Sequence, residues 1–405
     1  MKILHVDANN FFASVAIKNN PNLEGKPLII CGDPEKRHGI VLAKSNEAKK
    51  MGIKTTQTIA EAKKLCKNLI CLPPDFKQYA FFSDKLFEIY KRYTPLVEKF
   101  GMDECWLDVT GSEKLYGEPI KIANLIRETV KKELGITVSV GVSFTKTFAK
   151  LGSDLKKPDA VTVIDENNFK KVAWKLPVSE MIYIGDAAKS KLMSLKIKTI
   201  GDLANAPLDL LIENFGKSGQ KMHEYANGTD GERVEEYYSE HIPDSISNGT
   251  TCSEDIISER SARSVVYSLS EMVAFRMRKH GLLASGVSVN VKNSDFRSVS
   301  KQTKLPSATA DAGIIAKTAI KGLLSGFSVS EDNPIRTITV GVYGLSPEKI
   351  LTQDCFFMTD EERHSVINKK LDGIRGKYGY SILKKAIELD DTFVREYEKV
   401  DKKPD

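Results

Sequence analysis

The sequence predicts a multidomain α+β protein. Its 405 residues are enough for two to four domains, since a single domain usually holds roughly 100–200 residues. Strand patterns and helix patterns alternate over residues 1–166 and again after residue 244, whereas 167–231 has helix patterns alone. The chain has no fixed-period repeat and no segment of low complexity.

Composition and charge exclude several classes of protein. Apolar residues make up 41% and charged residues 28% of the chain, as in ordinary globular proteins, and no apolar run is long enough to cross a bilayer. Asp7 lies where a secretory signal has its apolar core, so we expect a cytoplasmic protein without a membrane partner. The six cysteines form no C-x-x-C pair, which argues against a zinc or disulfide framework. The net charge of +6 is compatible with nucleic-acid binding, although many cytosolic proteins are as basic.

The first 166 residues predict a mixed domain with an antiparallel sheet. The predicted strands are 2–8, 97–100, 105–109 and 136–145. The predicted helices are 11–17, 78–92, 122–134 and 145–157, with a lysine-rich mixed segment at 22–76 between the first two.

The last of these strands and the helix before it have the clearest periodicity. Apolar residues alternate with small or polar residues in ITVSVGVSFT, which predicts a strand with one buried face. Before it, apolar residues recur at helical spacing and a glycine follows as a C-cap. These helix residues are Ile122, Leu125, Ile126, Val130 and Gly135.

Beyond residue 231 the patterns predict a polar linker and a second mixed domain. Its first helix has Val266, Leu269 and Val273 on one face and ends at Gly281. Its predicted strands are VSVNVK, FRSVSKQTKL and IRTITVGV.

The tail that follows contains a further helix signal. Thr359 and Glu362 form a capping-box pattern. An amphipathic helix is predicted behind it, with its apolar positions at Ile367, Leu371, Ile374 and Tyr378.

Two adjacent acids, Asp103 and Glu104, interrupt the apolar run FGMDECWLDVTG at 100–111. Burying two neighbouring carboxylates without a counter-charge is costly. Because successive strand residues face opposite sides of a sheet, both acids can reach one site only where a strand begins, at the turn that Gly101 supplies. Asp7 ends the first strand, so the strand ends can bring three carboxylates together.

Two interpretations of these acids stay open on spacing alone. Three carboxylates at one place repel one another unless divalent cations lie between them, and an oxygen-rich site suits Mg²⁺. Two such ions about 3.5–4 Å apart form a clamp for phosphoryl transfer. In the alternative, Asp103 and Glu104 lie on a solvated hairpin turn and Asp7 caps a helix.

Four segments, in this order, resemble the Y-family of translesion DNA polymerases, the DNA polymerase IV and UmuC type. They are HVDANNFFASV, GIVLAKSNEAKKMGIK, GMDECWLDVTG and GVSFTKTFAKLGSDLKKPDA. The similarity continues through IGDLA and SVNVKNSDF and covers roughly residues 1–345, and it implies the right-hand polymerase fold. The implied domains are a palm at 1–18 and 77–166, small fingers at 19–76, a helix-hairpin-helix thumb at 167–231, a linker at 232–244, an α/β little finger at 245–345 and a tail at 346–405.

The resemblance implies a template-directed DNA polymerase that adds dNTPs to a primer 3′-OH. The implied catalytic residues are Asp7, Asp103 and Glu104, which would bind two Mg²⁺ ions together with the backbone carbonyl of Ala8, with Mn²⁺ as a substitute. The family's small fingers and open site imply low-fidelity synthesis past damaged bases. We therefore expect a monomer whose partners are primer–template DNA and dNTP.

The nucleotide pocket is also implied by the resemblance. Phe11 and Phe12 are both implied to line this pocket, with core packing of an amphipathic helix as the alternative, above all for Phe11. Phe12 matches the aromatic residue that leaves no room for a 2′-OH under the incoming sugar. Lys157 matches a lysine that contacts the triphosphate. A second lysine, Lys49, stands where the family usually has arginine. Lysine lacks the bidentate fork of arginine, so this departure implies a looser grip on phosphate. In the alternative, Lys49 belongs only to a solvated helix face. The departures from the family's usual residues are Ala43 in place of Thr, Asn46 in place of Tyr and Lys49 in place of Arg.

Two regions are implied to bind DNA. MIYIGDAAKSKLMSLKIKTIGDLA resembles a helix-hairpin-helix, which binds the DNA backbone through amide groups without reading sequence. The first glycine that is usual in such hairpins is replaced by Tyr183 here, whereas Ile184 and Gly185 match the usual pattern. In the little finger, four basic residues on or beside strands would contact phosphates, unless they form an ordinary charged sheet face. They are Lys292, Arg297, Lys301 and Arg336.

The peptide QDCFF at 353–357 resembles the segment with which bacterial polymerases bind the sliding clamp. Gln353 would hydrogen-bond at the rim of the clamp pocket, and Phe356 and Phe357 would fill apolar subsites. A sliding clamp is therefore a further expected partner.

Two other functions compete with DNA synthesis. A catalytically silent DNA-binding scaffold recruited to the clamp would account for the departures at Asn46 and Lys49. A nucleotide cyclase uses a similar palm-like sheet, but the thumb and little-finger patterns argue against it.

Overall fold

Strands and helices form two units along the chain, Met1–Ser239 and Glu240–Asp405, as the multidomain α+β prediction requires. The computed structural model describes residues 1–32, 39–236, 242–348, 360–378 and 382–383. Within these ranges, every helix is either too short or too polar to pass through a bilayer.

The first unit contains two sheets and the helices that cover them. Its strands are β1 (Ile3–Ala8), β2 (Leu28–Cys31), β3 (Val41–Lys44), β4 (Ile70–Leu72), β5 (Val97–Lys99), β6 (Glu104–Asp108), β7 (Val138–Ser143) and β8 (Val161–Ile164). Its helices are α1 (Phe11–Asn19), α2 (Asn46–Lys50), α3 (Ile59–Leu65), α4 (Phe76–Tyr90), α5 (Glu113–Tyr116), α6 (Pro119–Leu134), α7 (Lys146–Leu155), α8 (Phe169–Val172), α9 (Asp186–Ser194), α10 (Ile200–Asn205), α11 (Leu208–Phe215) and α12 (Lys217–Asn227).

The larger sheet has the order β5-β6-β1-β7-β8. Its first three neighbouring pairs are antiparallel, as predicted, but β7 and β8 are parallel. The sheet is therefore mixed, with its parallel pair at this edge. The cause is the short strand β8, which the sequence patterns missed, and which the chain reaches by crossing over through α7.

Strand β7 is buried on both faces, so the prediction of one buried face is wrong. Val138 and Val140 face the apolar core, while α7 covers the other face. The covered face has small residues because the helix comes very close. A Cβ atom at Gly141 would lie 1.9 Å from the carbonyl oxygen of Ala149, a distance that no side chain tolerates.

Helix α6 covers the core face of the same sheet. Ile122, Ile126 and Val130 are fully buried, and Gly135 ends the helix with a left-handed φ of 68°, as the spacing predicts. Leu125 was expected on the same stripe but is 37% exposed. Leu125 lies at the margin of the stripe, where a side chain no longer points at the sheet.

The second sheet of the first unit has the order β3-β2-β4 and carries α2 and α3. Residues after 167 form α8 to α12, which confirms the helical prediction for that region. Val234, in the predicted polar linker, is buried against Ile3, Trp106 and Ala149. The start of that linker is thus part of the first unit.

The second unit is a four-stranded antiparallel sheet in the order β11-β10-β12-β9, with helices against it. The sequence patterns missed its first strand and its second helix. The strands are β9 (Ser245–Ile256), β10 (Leu282–Asn293), β11 (Ser298–Thr309) and β12 (Ile335–Pro347). The helices are α13 (Glu259–Lys279), α14 (Ala312–Gly326) and α15 (Asp360–Tyr378).

Helix α15 packs through its polar side, contrary to the amphipathic prediction. Ile367, Ile374 and Tyr378 are exposed. Arg375 instead pairs with Glu271 of α13 at 3.1 Å, and both side chains are almost completely buried. Paired charges therefore replace apolar contacts at this interface. The predicted capping residue Thr359 and the side chain of Glu362 lie outside the described part of the chain.

Candidate active site

Strand register brings Asp7 and Glu104 together. The two residues are directly opposite each other on the neighbouring antiparallel strands β1 and β6. Directly opposite residues share one face of a sheet, with Cβ atoms about 4.5–5.5 Å apart. Asp7 is only 5% exposed and the side chain of Glu104 is 23% exposed, so the pair is largely buried.

Asp103 lies immediately before β6, at the turn that follows β5. Its backbone carbonyl accepts a hydrogen bond from the amide of Ala8 at 3.1 Å, which fixes the turn against the end of β1. The structure thus brings together the three acids that the sequence analysis singled out. It contradicts the alternative in which Asp103 and Glu104 form a solvated hairpin turn, because neither residue is exposed.

Lysines from the α7 region contact these acids. The ammonium group of Lys150 forms a short contact with Glu104 and lies 3.4 Å from Asp7. The ammonium group of Lys157 lies 2.8 Å from Asp7 and 2.8 Å from Asp154. Cationic side chains of the protein therefore lie among the acids.

His5 is fully buried beneath Glu104, on the same face of β1 as Asp7. Its Nδ1 lies 2.8 Å from the hydroxyl of Ser153, and its Nε2 lies 3.3 Å from Oε2 of Glu104, outside good hydrogen-bond geometry. Burial lowers the pKa of His5 and outweighs the nearby acids. A neutral imidazole therefore packs beneath the glutamate.

The two neighbouring acids of the turn have opposite pKa shifts. Burial, together with the charges of Asp7 and Glu104, raises the pKa of Asp103 to about 7. Burial also raises the pKa of Glu104, but the contacts with His5 and Lys150 outweigh it and lower the pKa to about 2. Asp103 therefore carries most of the cost of placing three acids together.

The donor set fits divalent metal binding. The three acids lie at neighbouring strand ends, and the charges of Asp7 and Glu104 raise the pKa of Asp103. All three side chains offer oxygen, the ligand that Mg²⁺ prefers. Within the described ranges, no three side chains of His, Cys, Asp or Glu form a ready group of metal ligands. Lys150 and Lys157 occupy the space between the acids in this arrangement.

Replacing Asp103 by asparagine is expected to stabilise the metal-free protein above pH 7 by roughly 4 kcal/mol. The pKa of this carboxyl rises from 3.8 to about 7 on folding, so folded chains keep a proton that unfolded chains have lost. The free energy of unfolding of the parent therefore falls as the pH rises between these values, and the full cost remains above them. Thermal unfolding in EDTA would measure the gain.

The gain from Asp103→Asn should be larger at about pH 8 than at about pH 5. Asp84→Asn is a matched control, because Asp84 is an exposed acid on α4. A gain at Asp103 no larger than that of the control at about pH 8 would contradict the charge repulsion.

Phe12 has a fixed orientation beside the acids. Its ring stacks flat on Tyr79, with centroids 3.9 Å apart and planes 7° apart, and Phe76 meets it edge-on at 6.1 Å. Phe12 is partly exposed, whereas Phe11 is buried in the core, which favours core packing over the predicted pocket role for Phe11. Phe76 and Tyr79 both belong to α4, so this helix holds the Phe12 ring in place.

The predicted pocket positions of the smaller sheet lie on β3 and α2. Ala43 is partly buried against the core of the larger sheet, and Asn46 opens α2. The side-chain oxygen of Asn46 accepts a hydrogen bond from Asn10 at 2.8 Å. Lys49 is exposed on α2. Asn46 therefore lies beside the N-terminus of α1, while Lys49 retains both of its interpretations.

Asn9 anchors the segment that positions Lys157. Its side-chain oxygen accepts hydrogen bonds from the hydroxyl of Thr137 at 3.0 Å and from the backbone amide of Asp159 at 2.9 Å. The Asp159 carboxylate in turn pairs with Arg127 at 2.8 Å. These contacts tie the end of α7 to the end of β1, which places Lys157 next to Asp7.

The predicted DNA-binding hairpin begins at a strained residue. Tyr183 has a φ of 68°, in the left-handed region that favours glycine, and its side chain is exposed. Gly185 is the N-cap of α9, and Ile184 is buried. The backbone at Tyr183 therefore keeps the left-handed conformation that suits the usual glycine of the hairpin, although the glycine is replaced.

The predicted basic residues of the second unit do not share one face. Val289 faces the helices and pairs with Lys301, so Lys301 lies on the helix-covered face. A Cβ atom at Gly326 of α14 would lie 2.8 Å from the Lys301 stem. Strand alternation therefore places Lys301 on a different face from Lys292, although its side chain is exposed, and its contact with DNA stays a prediction.

The other predicted basic residues of this unit lie elsewhere. Lys292 is on the opposite, helix-free face of β10, and Lys304 of β11 shares that face by register. The sequence analysis missed Lys304. Arg297 is exposed beside β11, and the guanidinium of Arg336 lies 5.1 Å from the ring centre of Phe296. The predicted clamp residues lie outside the described part of the chain, and they are Gln353, Phe356 and Phe357.

Three residues that contact the candidate site were missed from sequence. They are His5, Asn9 and Lys150. The signal for Lys150 was available, because Lys146, Lys150 and Ser153 recur at helical spacing on one side of α7. A sequence signal for His5 was also available, since His5 lies two residues before Asp7 on the same face of the strand.

Comparisons with known proteins agree with this geometry. Three family models match: the impB/mucB/samB family over residues 6–154, its C-terminal domain over 243–354, and the DNA polymerase-iota thumb domain over 183–230.

Two curated relatives align over almost the whole chain. A DNA polymerase IV of Acetivibrio thermocellus is 42% identical, and the alignment covers 96% of this chain and 98% of that protein. A DNA polymerase IV of Clostridium acetobutylicum is 36% identical, with the same coverage of both chains. A solved chimera, the Y-family DNA polymerase Dbh-Dpo4(243-245)-Dbh, superposes with a TM-score of 0.75 at 24% identity and covers 86% of this chain and 100% of its own. That likeness confirms the predicted fold class.

Proposed function

The chain belongs to the Y-family of DNA polymerases, the impB/mucB/samB family, and we propose that it adds dNTPs to a primer 3′-OH opposite a template at the Asp7–Asp103–Glu104 site. One observation carries the assignment of the site. Asp7 and Glu104 are a direct cross-strand pair, and Asp103 joins them at the adjoining turn. A protein keeps such a costly cluster where the chemistry needs it.

Four groups would hold two Mg²⁺ ions at this site: the carboxylates of Asp7, Asp103 and Glu104 and the backbone carbonyl of Ala8. When bound, two such ions activate the attacking oxygen and stabilise charge on the leaving pyrophosphate, and Mn²⁺ can substitute. His5 packs beneath Glu104 and Asn9 fixes the end of β1, so the chain itself positions the strand ends that carry the acids.

The incoming dNTP would lie over Phe12, whose ring is the proposed barrier to a ribose 2′-OH. Lys157 would exchange its contact with Asp7 for the triphosphate. Ala43, Asn46 and Lys49 would line the phosphate end, with a weaker grip than a Tyr–Arg pair provides.

Primer–template DNA would contact the hairpin at Gly185 and the basic residues of the second unit. Lys292 and Arg297 are proposed phosphate contacts, together with Arg336 and with Lys301, which is exposed beside α14. The proposed domains keep their predicted bounds: palm at 1–18 and 77–166, fingers at 19–76, thumb at 167–231 and little finger at 245–345.

Three further parts of the proposal rest on family membership and sequence. Synthesis is proposed to be of low fidelity and to pass damaged template bases. The peptide at 353–357 is proposed to bind a sliding clamp through Gln353, Phe356 and Phe357. The template is cellular DNA, so the proposed place of action is the cytoplasm.

Single-nucleotide primer extension tests the proposal. Four primer–templates that differ only in the templating base are each supplied with one dNTP, with Mg²⁺ or with EDTA. We expect faster addition of the complementary dNTP on each template, and none in EDTA. DNA binding without any addition would instead favour the catalytically silent scaffold.

A template with an abasic site at the same position tests damage bypass. We expect addition opposite that site at a measurable rate. Complete arrest there, with normal extension on the intact templates, would contradict the bypass part of the proposal and leave the polymerase part standing.

A further inference from the structure

Lys150 is the most deeply placed cation of the candidate site. It extends from α7, which crosses the polar face of β1 and β7, and its side chain is 15% exposed. Its ammonium group contacts Glu104 closely and lies 3.4 Å from Asp7. Lys150 thus bridges the two acids that pair across β1 and β6.

A buried acid pair without a cation would be strongly destabilised. In the metal-free protein that cation has to come from the chain itself. Lys157 also reaches Asp7, but among the described residues Lys150 alone has ion-pair contacts with both members of the cross-strand pair. Its position between the acids is where positive charge lowers their mutual repulsion most.

Lys150 also has a second partner toward solvent. Asp154 lies one helical turn further along α7, and its carboxylate is 3.5 Å from the Lys150 ammonium group and largely exposed. A lysine stem is long and flexible, so the ammonium group can move toward Asp154 without leaving all negative charge behind. The helix thus offers an alternative position for the displaced cation.

We propose that Lys150 is the resident counter-ion of Asp7 and Glu104 while no divalent metal is bound, and that its ammonium group gives way to the metal. This inference rests on the proposed function, because it takes these acids as metal ligands. Lys150 is a positioning residue in this role: it keeps the carboxylates in place between turnovers and competes with the ion that replaces it.

The test compares Lys150→Met with the parent in two measurements. The first is thermal unfolding in EDTA, where the variant should unfold roughly 5 °C or more below the parent because two buried acids lose their cation. The second is Mn²⁺ binding, followed by electron paramagnetic resonance with a chain-terminated primer–template and the matching dNTP. The variant should bind Mn²⁺ at least about tenfold more tightly, because no cation has to leave. In saturating Mn²⁺ the unfolding temperatures should converge.

Lys156→Met is the matched control, because Lys156 is an exposed lysine at the end of the same helix. It should leave both measurements unchanged. A lower unfolding temperature of Lys150→Met without tighter Mn²⁺ binding would make Lys150 a purely structural residue and overturn the inference. No change in either measurement would overturn it as well.

The double variant Glu104→Gln/Lys150→Met guards against a Lys150→Met protein that does not fold in EDTA. It removes one acid together with the cation, so it should be more stable in EDTA than Lys150→Met alone. A double variant that is no more stable would contradict the inference. If the parent itself takes up no Mn²⁺, the proposed metal site fails and the inference fails with it, whereas parent binding with an unchanged variant refutes the inference alone.

Discussion

Replacing Phe12 by alanine is expected to raise incorporation of ribonucleotides relative to deoxyribonucleotides by on the order of 10²-fold. In the parent, the ring lies flat on Tyr79 at 3.9 Å and touches Phe76 edge-on, so it cannot move aside for an extra hydroxyl. Packing is dense in such a cluster, and steric exclusion is correspondingly sharp. Alanine would open that space without changing any carboxylate of the site.

The measurement is single-turnover addition of a matched dNTP and its matched rNTP by parent and Phe12→Ala proteins. The discrimination ratio should collapse mainly through faster rNTP addition, while dNTP addition changes less. Phe81→Ala is the control, because Phe81 is an exposed phenylalanine on the same helix as Tyr79. Equal discrimination by parent and Phe12→Ala proteins would remove the role assigned to the ring.

The three acids could be predicted from the sequence because strand signals surround them. Asp7 closes a clear apolar strand, and Asp103 and Glu104 open another at a glycine turn. Alternation and turn chemistry are local properties, so the end of the first strand and the start of the other could be located from the sequence. The register that pairs Asp7 with Glu104 could not be predicted, because a shift of the pairing by two residues keeps every side chain on the same face of the sheet.

Features that depend on how elements cover one another were missed. The sequence pattern of β7 shows only its valine face, and the small residues of its other face serve the close approach of α7. Lys150 was missed for the same reason. Its position on a helix could be predicted, but the surface that the helix covers could not. Strand patterns likewise placed Lys301 in β11 but did not assign its face, which follows from the pairing with Val289.

The tail helix shows a limit of apolar periodicity. The spacing of Ile367, Ile374 and Tyr378 predicts a buried stripe, yet these residues are exposed. The helix docks through Arg375 and Asp372, which pair with Glu271 and Arg278 of α13. Charges so far apart in the sequence have no local signature, and only the folded chain shows that they are partners.

Primer extension by the parent beside Glu104→Gln tests the assignment of the acids most directly. The substitution keeps the shape of the side chain and removes its charge, so Lys150 keeps its contacts with Asp7 and Asp154. Loss of a metal-binding carboxylate should lower the rate of extension by at least about 10³-fold, equivalent to roughly 4 kcal/mol of transition-state stabilisation. Glu88→Gln, which changes an exposed glutamate on α4, is the matched control.

Binding of primer–template, measured by fluorescence anisotropy, separates chemistry from recognition. We expect parent and Glu88→Gln to extend the primer, and Glu104→Gln to bind the same DNA without extending it. That result would show that the acids at the end of β1 and the start of β6 are kept together for catalysis. Extension by Glu104→Gln at the parent rate, with DNA bound equally well, would contradict the assignment of this site.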